Sequence, residues 1–266
     1  MELGYHPSIS DRLFLELNRS NFSFLVTNKD LIPLHSGEFQ LVDVELLDQI
    51  LKTSKVFDQI FSSVNLNIRG ADFVLVPQDL SSDTNRRVLF LMNYKLDPMS
   101  DLRSGFIGNA IEIVYRIPTE LVQLLRNKFK NLEVKHELES LSKCWFGSVV
   151  NTMSHDMYAS ISQGKLLLAV RSKGKIVFAN IFDINNSDDV FYYCMLTVEQ
   201  LELDIERINI FWLIEDDRFQ LDALQKQFQN YVNTVRPYLF DISGDVSKDE
   251  FVIAHQGMMA MLQCAS

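Results

Sequence analysis

Leu13 to Leu34 reads LFLELNRSNFSFLVTNKDLIPL, and Met157 to Phe178, 144 residues further on, reads MYASISQGKLLLAVRSKGKIVF. Aligned without a gap, ten of the eleven apolar residues in the first stretch meet an apolar residue in the second, from Leu13/Met157 through Val26/Val170 to Leu34/Phe178. Only Val26/Val170, Lys29/Lys173 and Ile32/Ile176 are identical, so the echo is one of structure. Both stretches break at the same places. Asn18 to Asn21 matches Ser162 to Lys165, and Asn28 to Asp30 matches Ser172 to Gly174. Asn, Asp, Ser and Gly form turns because they accept positive φ or bond their own backbone. Each stretch therefore predicts an antiparallel three-stranded meander.

The segments after each meander also agree. The first is succeeded by a helix over about Val42 to Ser54, with Val44, Leu47, Ile50 and Leu51 on one face, and by an apolar strand, Phe73 to Val76, closed by Pro77. DLSSDTNRRVLFLMNY predicts a second helix, Asn109 to Ile117 a strand, and Pro118 opens a helix bearing Leu121, Leu124, Leu125 and Phe129. A strand at Leu132 to His136 precedes a helix carrying Leu138, Leu141, Trp145 and Val149. The second half repeats the plan: helix Ser187 to Leu203, strand Ile208 to Ile214, helix Phe219 to Tyr231, strand Val232 to Tyr238, and a Met-rich helix from about Glu250 to Gln263. Strands joined by helical crossovers run parallel. The expected fold class is α/β: two tandem domains, 1–150 and 151–266, each βββαβαβα with a mixed five-stranded sheet. Two domains also suit 266 residues, at about 100–200 per domain.

Composition narrows function. Apolar residues are 47% and charged residues 23%, ordinary for globular chains. With 25 basic against 35 acidic residues the net charge is −10, which repels nucleic acid. The densest basic stretch, Arg126 to Lys130, ends a predicted helix and complements its dipole. Cys144, Cys194 and Cys264 form no CxxC pair, which points to free thiols and a cytoplasmic location. MELGYHPSISDR lacks a secretory pattern, and the longest apolar runs, such as Leu166 to Val170, fall far short of the roughly 20 residues of a membrane helix.

Two βββαβαβα units in tandem resemble the actin-like ATPase (ribonuclease H-like) superfamily of actin, the Hsp70 chaperones and sugar kinases. The chain is also similar to a bacterial family of unknown function, found in Bacteroidetes, with an actin-like ATPase fold. SDRLFLELNRSNFSFLV, ADFVLVPQDL, NAIEIVYRIPTELVQLLRNKF and LLLAVRSKGKIVFANIF carry that likeness, over roughly residues 10–240. The fold also implies relatives that act as assembly scaffolds, the cytoplasmic actin-like components of pilus and secretion machines.

Superfamily members that hydrolyse ATP cradle its phosphates in the first turn of each meander, with Asp-x-Gly motifs. Glycine lets backbone N–H groups approach the phosphate, and the Asp holds Mg²⁺ through water. Here the first turn, Glu16-Leu-Asn18-Arg-Ser-Asn21, has neither Gly nor Asp, and the second, Ser160-Ile-Ser162-Gln-Gly164, has one Gly and no Asp. The adenosine-binding Gly pair has only AHQGMM, with Gly257, as a counterpart. No cofactor is expected, and no catalytic or metal residue is assigned.

Other constellations read as structure. Glu215-Asp216-Asp217 is read as an acidic helix cap before a metal site. Asp241 to Glu250 places Gly244 fourth, where a calcium loop needs it sixth. Gly105 to Gly108 lacks the P-loop lysine, His136-Glu137 lacks a second His, His155-Asp156 reads as a turn, and no GxSxG occurs. Met258 to Leu262 is read as core packing or a partner-binding face.

Two functions fit this pattern. In the first, the chain is a non-catalytic actin-like protein that binds a protein partner, with edge-strand pairing as a route to a homodimer. In the second, it is an ATPase or small-molecule kinase using ATP and Mg²⁺, with Glu16, Asn18, Ser160, Ser162 and Gly164 lining the site by position alone.

Overall fold

The computed structural model describes residues 8–41, 43–108, 110–146, 154–238 and 256–265. The chain divides into two compact units, residues 1–143 with 242–266, and residues 144–241.

The first unit opens with β1 (Arg12–Leu17), β2 (Asn21–Thr27) and β3 (Pro33–Gln40), an antiparallel meander. Helix α1 (Val44–Thr53) starts where the Asp43 carboxylate accepts from the Leu46 N–H at 2.8 Å, and it buries Leu47, Ile50 and Leu51. Then come β4 (Ser63–Ile68), β5 (Phe73–Pro77), α2 (Asp83–Asn93), β6 (Ser100–Ile107), β7 (Ile111–Pro118), α3 (Thr119–Lys128), β8 (Leu132–His136) and α4 (Glu137–Phe146). The main sheet has the order β3-β2-β1-β4-β8, with β1, β4 and β8 mutually parallel.

The second unit repeats this as β9 (His155–Ser162), β10 (Lys165–Ser172), β11 (Lys175–Asp183), α5 (Ser187–Gln200), β12 (Ile208–Ile214), α6 (Leu221–Phe228) and β13 (Thr234–Pro237), in the order β11-β10-β9-β12-β13. Its core joins Met157, Ala159 and Ile161 to Val190, Cys194, Leu224 and Phe228 of the two helices. The sequence echo survives as strand register. Leu13 faces Val26 as Met157 faces Val170, and the ladder slips after Val26 as it slips after Val170. Both outer strands thus carry a bulge, a device that twists a sheet edge away from intruding strands.

The two mixed five-stranded sheets agree with the expected fold class, but one strand assignment needs correction. Phe73 to Val76 and the Asn109 to Ile117 segment do not enter the main sheet. They form β5 and β7 of a separate antiparallel sheet, β5-β7-β6, inserted between β4 and α3. Its own small core is Val76, Phe90 and Val114. The strand beside β1 is instead Ser63–Ile68, an alternating strand with Val64, Leu66 and Ile68 on one face that a search for continuous apolar runs passes over.

The C-terminal helix α7 (Gln256–Ala265) differs too. Chain order assigns it to the second domain, yet it packs on β1 and β4 of the first unit, with Met258 to Leu262 buried. A helix settles where its apolar face finds cover, whatever its neighbours in sequence. The expected boundary at 150/151, like Val42, Asn109, Val149 and the Asp241 to Glu250 loop, lies outside the described residues. Among the described residues, no helix is long and apolar enough to cross a membrane.

Candidate functional site

Because β1, β4 and β8 run parallel, their carboxyl ends gather at one edge of the first sheet, where α/β folds place ligands. Glu16 of β1, Arg69 just past β4 and Glu137 at the start of α4 meet there. Arg69 extends the ladder by donating its N–H to Leu17 O at 2.9 Å. Its Nη1 donates to Glu16 Oε1 at 3.2 Å, and its Nε lies 3.4 Å from Glu137 Oε2. The Gly70 N–H, in a turn with φ 65°, donates to Glu137 Oε1 at 2.7 Å. All three side chains are buried. Burial pushes the Glu137 carboxyl up, while Arg69 and the Gly70 N–H pull it back. Glu16 is therefore held by a guanidinium, leaving its Oε2 without a hydrogen bond among the described residues.

His136 lies beside this cluster and is neutral by construction. Its Nε2 donates to Ala71 O at 3.1 Å, while Nδ1 accepts from the Leu138 N–H at 3.1 Å, which assigns the tautomer. Phe73 and Tyr115 flank the ring, and burial lowers its pKa to about 4.

The first turn is closed by its own side chain. Asn18 Oδ1 accepts from the Ser20 N–H at 2.9 Å and the Asn21 N–H at 2.6 Å. The second turn is closed from a distance. Gln163 and Gly164, with φ of 48° and 73°, form a two-residue hairpin loop. The Gly164 N–H donates to Asp216 Oδ2 at 2.9 Å. Arg218 clamps that carboxylate, with Nε on Oδ1 at 2.9 Å and Nη2 on Oδ2 at 2.7 Å, and these bonds lower the Asp216 pKa. A Cβ at Gly164 would stand 3.0 Å from Arg218 Nη2, the end of a half-exposed side chain that can give way, so this turn needs its glycine for φ. The Asp216 carboxylate is thus the anion seated on the second turn.

Of the residues singled out by position, Glu16 pairs with Arg69 and Asn18 closes its own turn. Ser160 is buried with its hydroxyl unbonded among the described residues, Ser162 ends β9 half-buried, and Gly164 holds Asp216. Arg69, Glu137 and the Asp216–Arg218 clamp are additions. Their contacts link residues 52 to 68 apart except within the clamp, and no local pattern signals them. The expected acidic cap is corrected: α6 begins at Leu221 after Gln220, which makes no side-chain cap, and Asp216 serves the turn instead. His155-Asp156 is corrected as well. The pair starts β9, where Asp156 is bound by Arg171 at 2.7 Å and Asn209 at 3.0 Å. Among the described residues no group of three His, Cys, Asp or Glu could hold a metal ion. Ala254 and His255 of AHQGMM lie outside the described residues.

A family model described as a protein of unknown function (DUF3822) matches residues 6–235. No curated protein matches. Among solved structures, the chain is similar to a Bacteroides thetaiotaomicron protein with an actin-like ATPase fold and unknown function, at TM-score 0.82 and 18% identity over 97% of each chain. It is similar to the PilM-PilN type IV pilus biogenesis complex at TM-score 0.57 and 10% identity, over 96% of this chain and 99% of that one. The cytoplasmic domain of EpsL, an inner membrane component of the Vibrio cholerae type II secretion system, matches at TM-score 0.49 and 12% identity, over 97% and 96%. The first of these likenesses identifies the fold as actin-like.

Proposed function

The chain belongs to the DUF3822 family, and on that premise we propose that it is a non-catalytic, cytoplasmic actin-like protein that works by binding a protein partner. One observation carries this reading: the backbone donors that a phosphate would need are already taken. Asn18 Oδ1 holds two N–H groups of the first turn, and Asp216 holds the Gly164 N–H of the second. Seating a phosphate on the second turn means evicting a carboxylate that Arg218 grips twice and that the Gly164 N–H also binds. At the first turn, the nearest acid, Glu16, faces a buried guanidinium where a magnesium ion would need open oxygens. The PilM fold relative, solved together with PilN, supports the partner-binding half of the proposal. A second copy meeting an edge strand is the homodimeric form of the same reading.

The test is thermal unfolding with and without about 1 mM Mg-ATP. A ligand present at 100 times its dissociation constant adds about 2.7 kcal/mol, a rise of several degrees. No shift is expected. A saturable rise, not reproduced by other polyanions, overturns the proposal in favour of an ATPase or kinase using Glu16, Asn18, Ser160, Ser162 and Gly164.

A further inference from the structure

We propose that β6 of the inserted sheet is a self-association edge, pairing antiparallel with β6 of a second copy about a two-fold axis at Leu102. The pairing rests on the homodimeric form of the reading above and gives it a surface.

An unpaired edge strand templates the addition of another chain unless it is short, bulged or ended by proline. In the two main sheets, β3 and β11 carry bulges, β8 has five residues, and β13 has four, ending at Pro237. In the inserted sheet, β5 has five residues and closes on Pro77. The other edge, β6, has none of these guards. It runs for eight residues, Ser100 to Ile107, in unbroken register with β7.

An antiparallel ladder directs alternate residues to opposite neighbours. The Thr119 N–H donates to Met99 O at 3.2 Å, so odd-numbered residues of β6 bond to β7 and even-numbered ones turn their backbone groups outward. Leu102 and Ser104 present both N–H and C=O. Ser100 presents its C=O, because its N–H already donates to Asp97 O at 3.0 Å. Among the described residues these outward groups bond to nothing else.

Even residues must therefore meet even residues of the second copy. Centred on Leu102, the two Leu102 residues exchange N–H and C=O, and each Ser104 N–H meets Ser100 O of the other copy. Asp101 then faces Arg103 of the other copy, on both sides of the axis. These are the non-hydrogen-bonded positions, where Cα atoms lie about 4.5 Å apart and opposite charges pair best. Moving the centre to Asp101 or to Arg103 sets like charge against like, so charge selects the register. Neither Asp101 nor Arg103 has an ion pair among the described residues, and Arg103 has another guanidinium, Arg126, as a neighbour. The same register carries Phe106, 54% exposed, to the turn of the other copy that bears the exposed Pro98 and Met99.

Sedimentation equilibrium of the full chain tests this. At about 0.15 M salt the long-range repulsion between two copies of net charge −10 is screened. A ribbon this short makes a weak dimer, so a monomer–dimer equilibrium is expected between micromolar and millimolar concentration. Asp101→Arg places like charges at both pairs and is expected to raise the dissociation constant about tenfold or more. Adding Arg103→Asp exchanges the charges and is expected to restore the dimer, which a merely damaged fold would not do. Asp101 is exposed and unpaired, so its single variant keeps the fold even where the Arg103 change disturbs packing. A dimer of unchanged strength in Asp101→Arg overturns the β6 pairing and leaves the homodimeric reading to another surface. A monomer at every concentration overturns both, and the Mg-ATP test of the non-catalytic reading stands apart from either result. A double variant that is folded by circular dichroism and still monomeric also overturns the pairing.

Discussion

His136 and Arg69 sit in the same corner of the first unit and solve burial in opposite ways. Arg69 stays charged between two carboxylates; His136 stays neutral, because burial outweighs the hydrogen bond to Ala71 O. The histidine gives a pH signature. Its folded pKa of about 4 lies below the ordinary 6.5, so between those values the unfolded chain takes up a proton that the folded chain refuses. Stability from this group is full above about pH 6.5 and is lost as the pH falls towards 4, by about 3 kcal/mol in total. Glu137, shifted upward, works in the opposite sense over the acid range, but it is common to the wild type and a His136 variant. The stability gap between the wild type and His136→Gln, measured by urea unfolding, is therefore expected to shrink from pH 6.5 to pH 4. A gap that stays constant would mean that His136 is protonated in the fold.

At the scale of the element, turns and caps decide where each strand and helix stops. Asn186 caps α5 by accepting from the Asp188 and Asp189 N–H groups at 2.9 and 3.0 Å. Asn186→Ala is expected to cost about 1 kcal/mol, read as a lower urea midpoint with an unchanged slope. Asp189 also holds the Asn185 N–H at 2.7 Å, so the helix start is bonded from both sides. The two hairpin turns show how equivalent elements diverge. Both are sealed, one by a residue of the turn and the other by an acid 52 positions away. Their shared geometry is legible from Asn, Ser and Gly; the distant seal is not.

For the molecule as a whole, α7 is the element whose placement matters most. Met258, Met259, Met261 and Leu262 are buried with the first unit, although the helix comes after the second in sequence. Trp212 lies in the core of the second unit, whereas Trp145 stands on α4, whose residues are divided between the two units, so the fluorescence of a Trp145→Phe background reports on the second unit. Deleting residues 256–266 in that background is expected to lower the urea midpoint tracked by far-UV circular dichroism more than the midpoint tracked by tryptophan fluorescence. Equal shifts of both would show that α7 stabilises the two units alike.

The amino-acid order by itself determined the paired meanders, the turns that divide them and the alternation of helices and strands behind them. Period-two burial and turn chemistry are local, and the 144-residue echo repeats both. It also determined that neither turn carries an Asp-x-Gly motif. Only the tertiary structure decided that β4 lies beside β1: Val64, Leu66 and Ile68 alternate with Ser63, Asn65 and Asn67 as in any half-buried strand, and that period does not name the neighbour. The same holds for the separate β5-β7-β6 sheet, the return of α7 to the first unit, and the joining of Glu16, Arg69 and Glu137. Each of these depends on contacts between residues far apart in the chain, where burial and charge pairing are set by the fold and leave no local pattern to read.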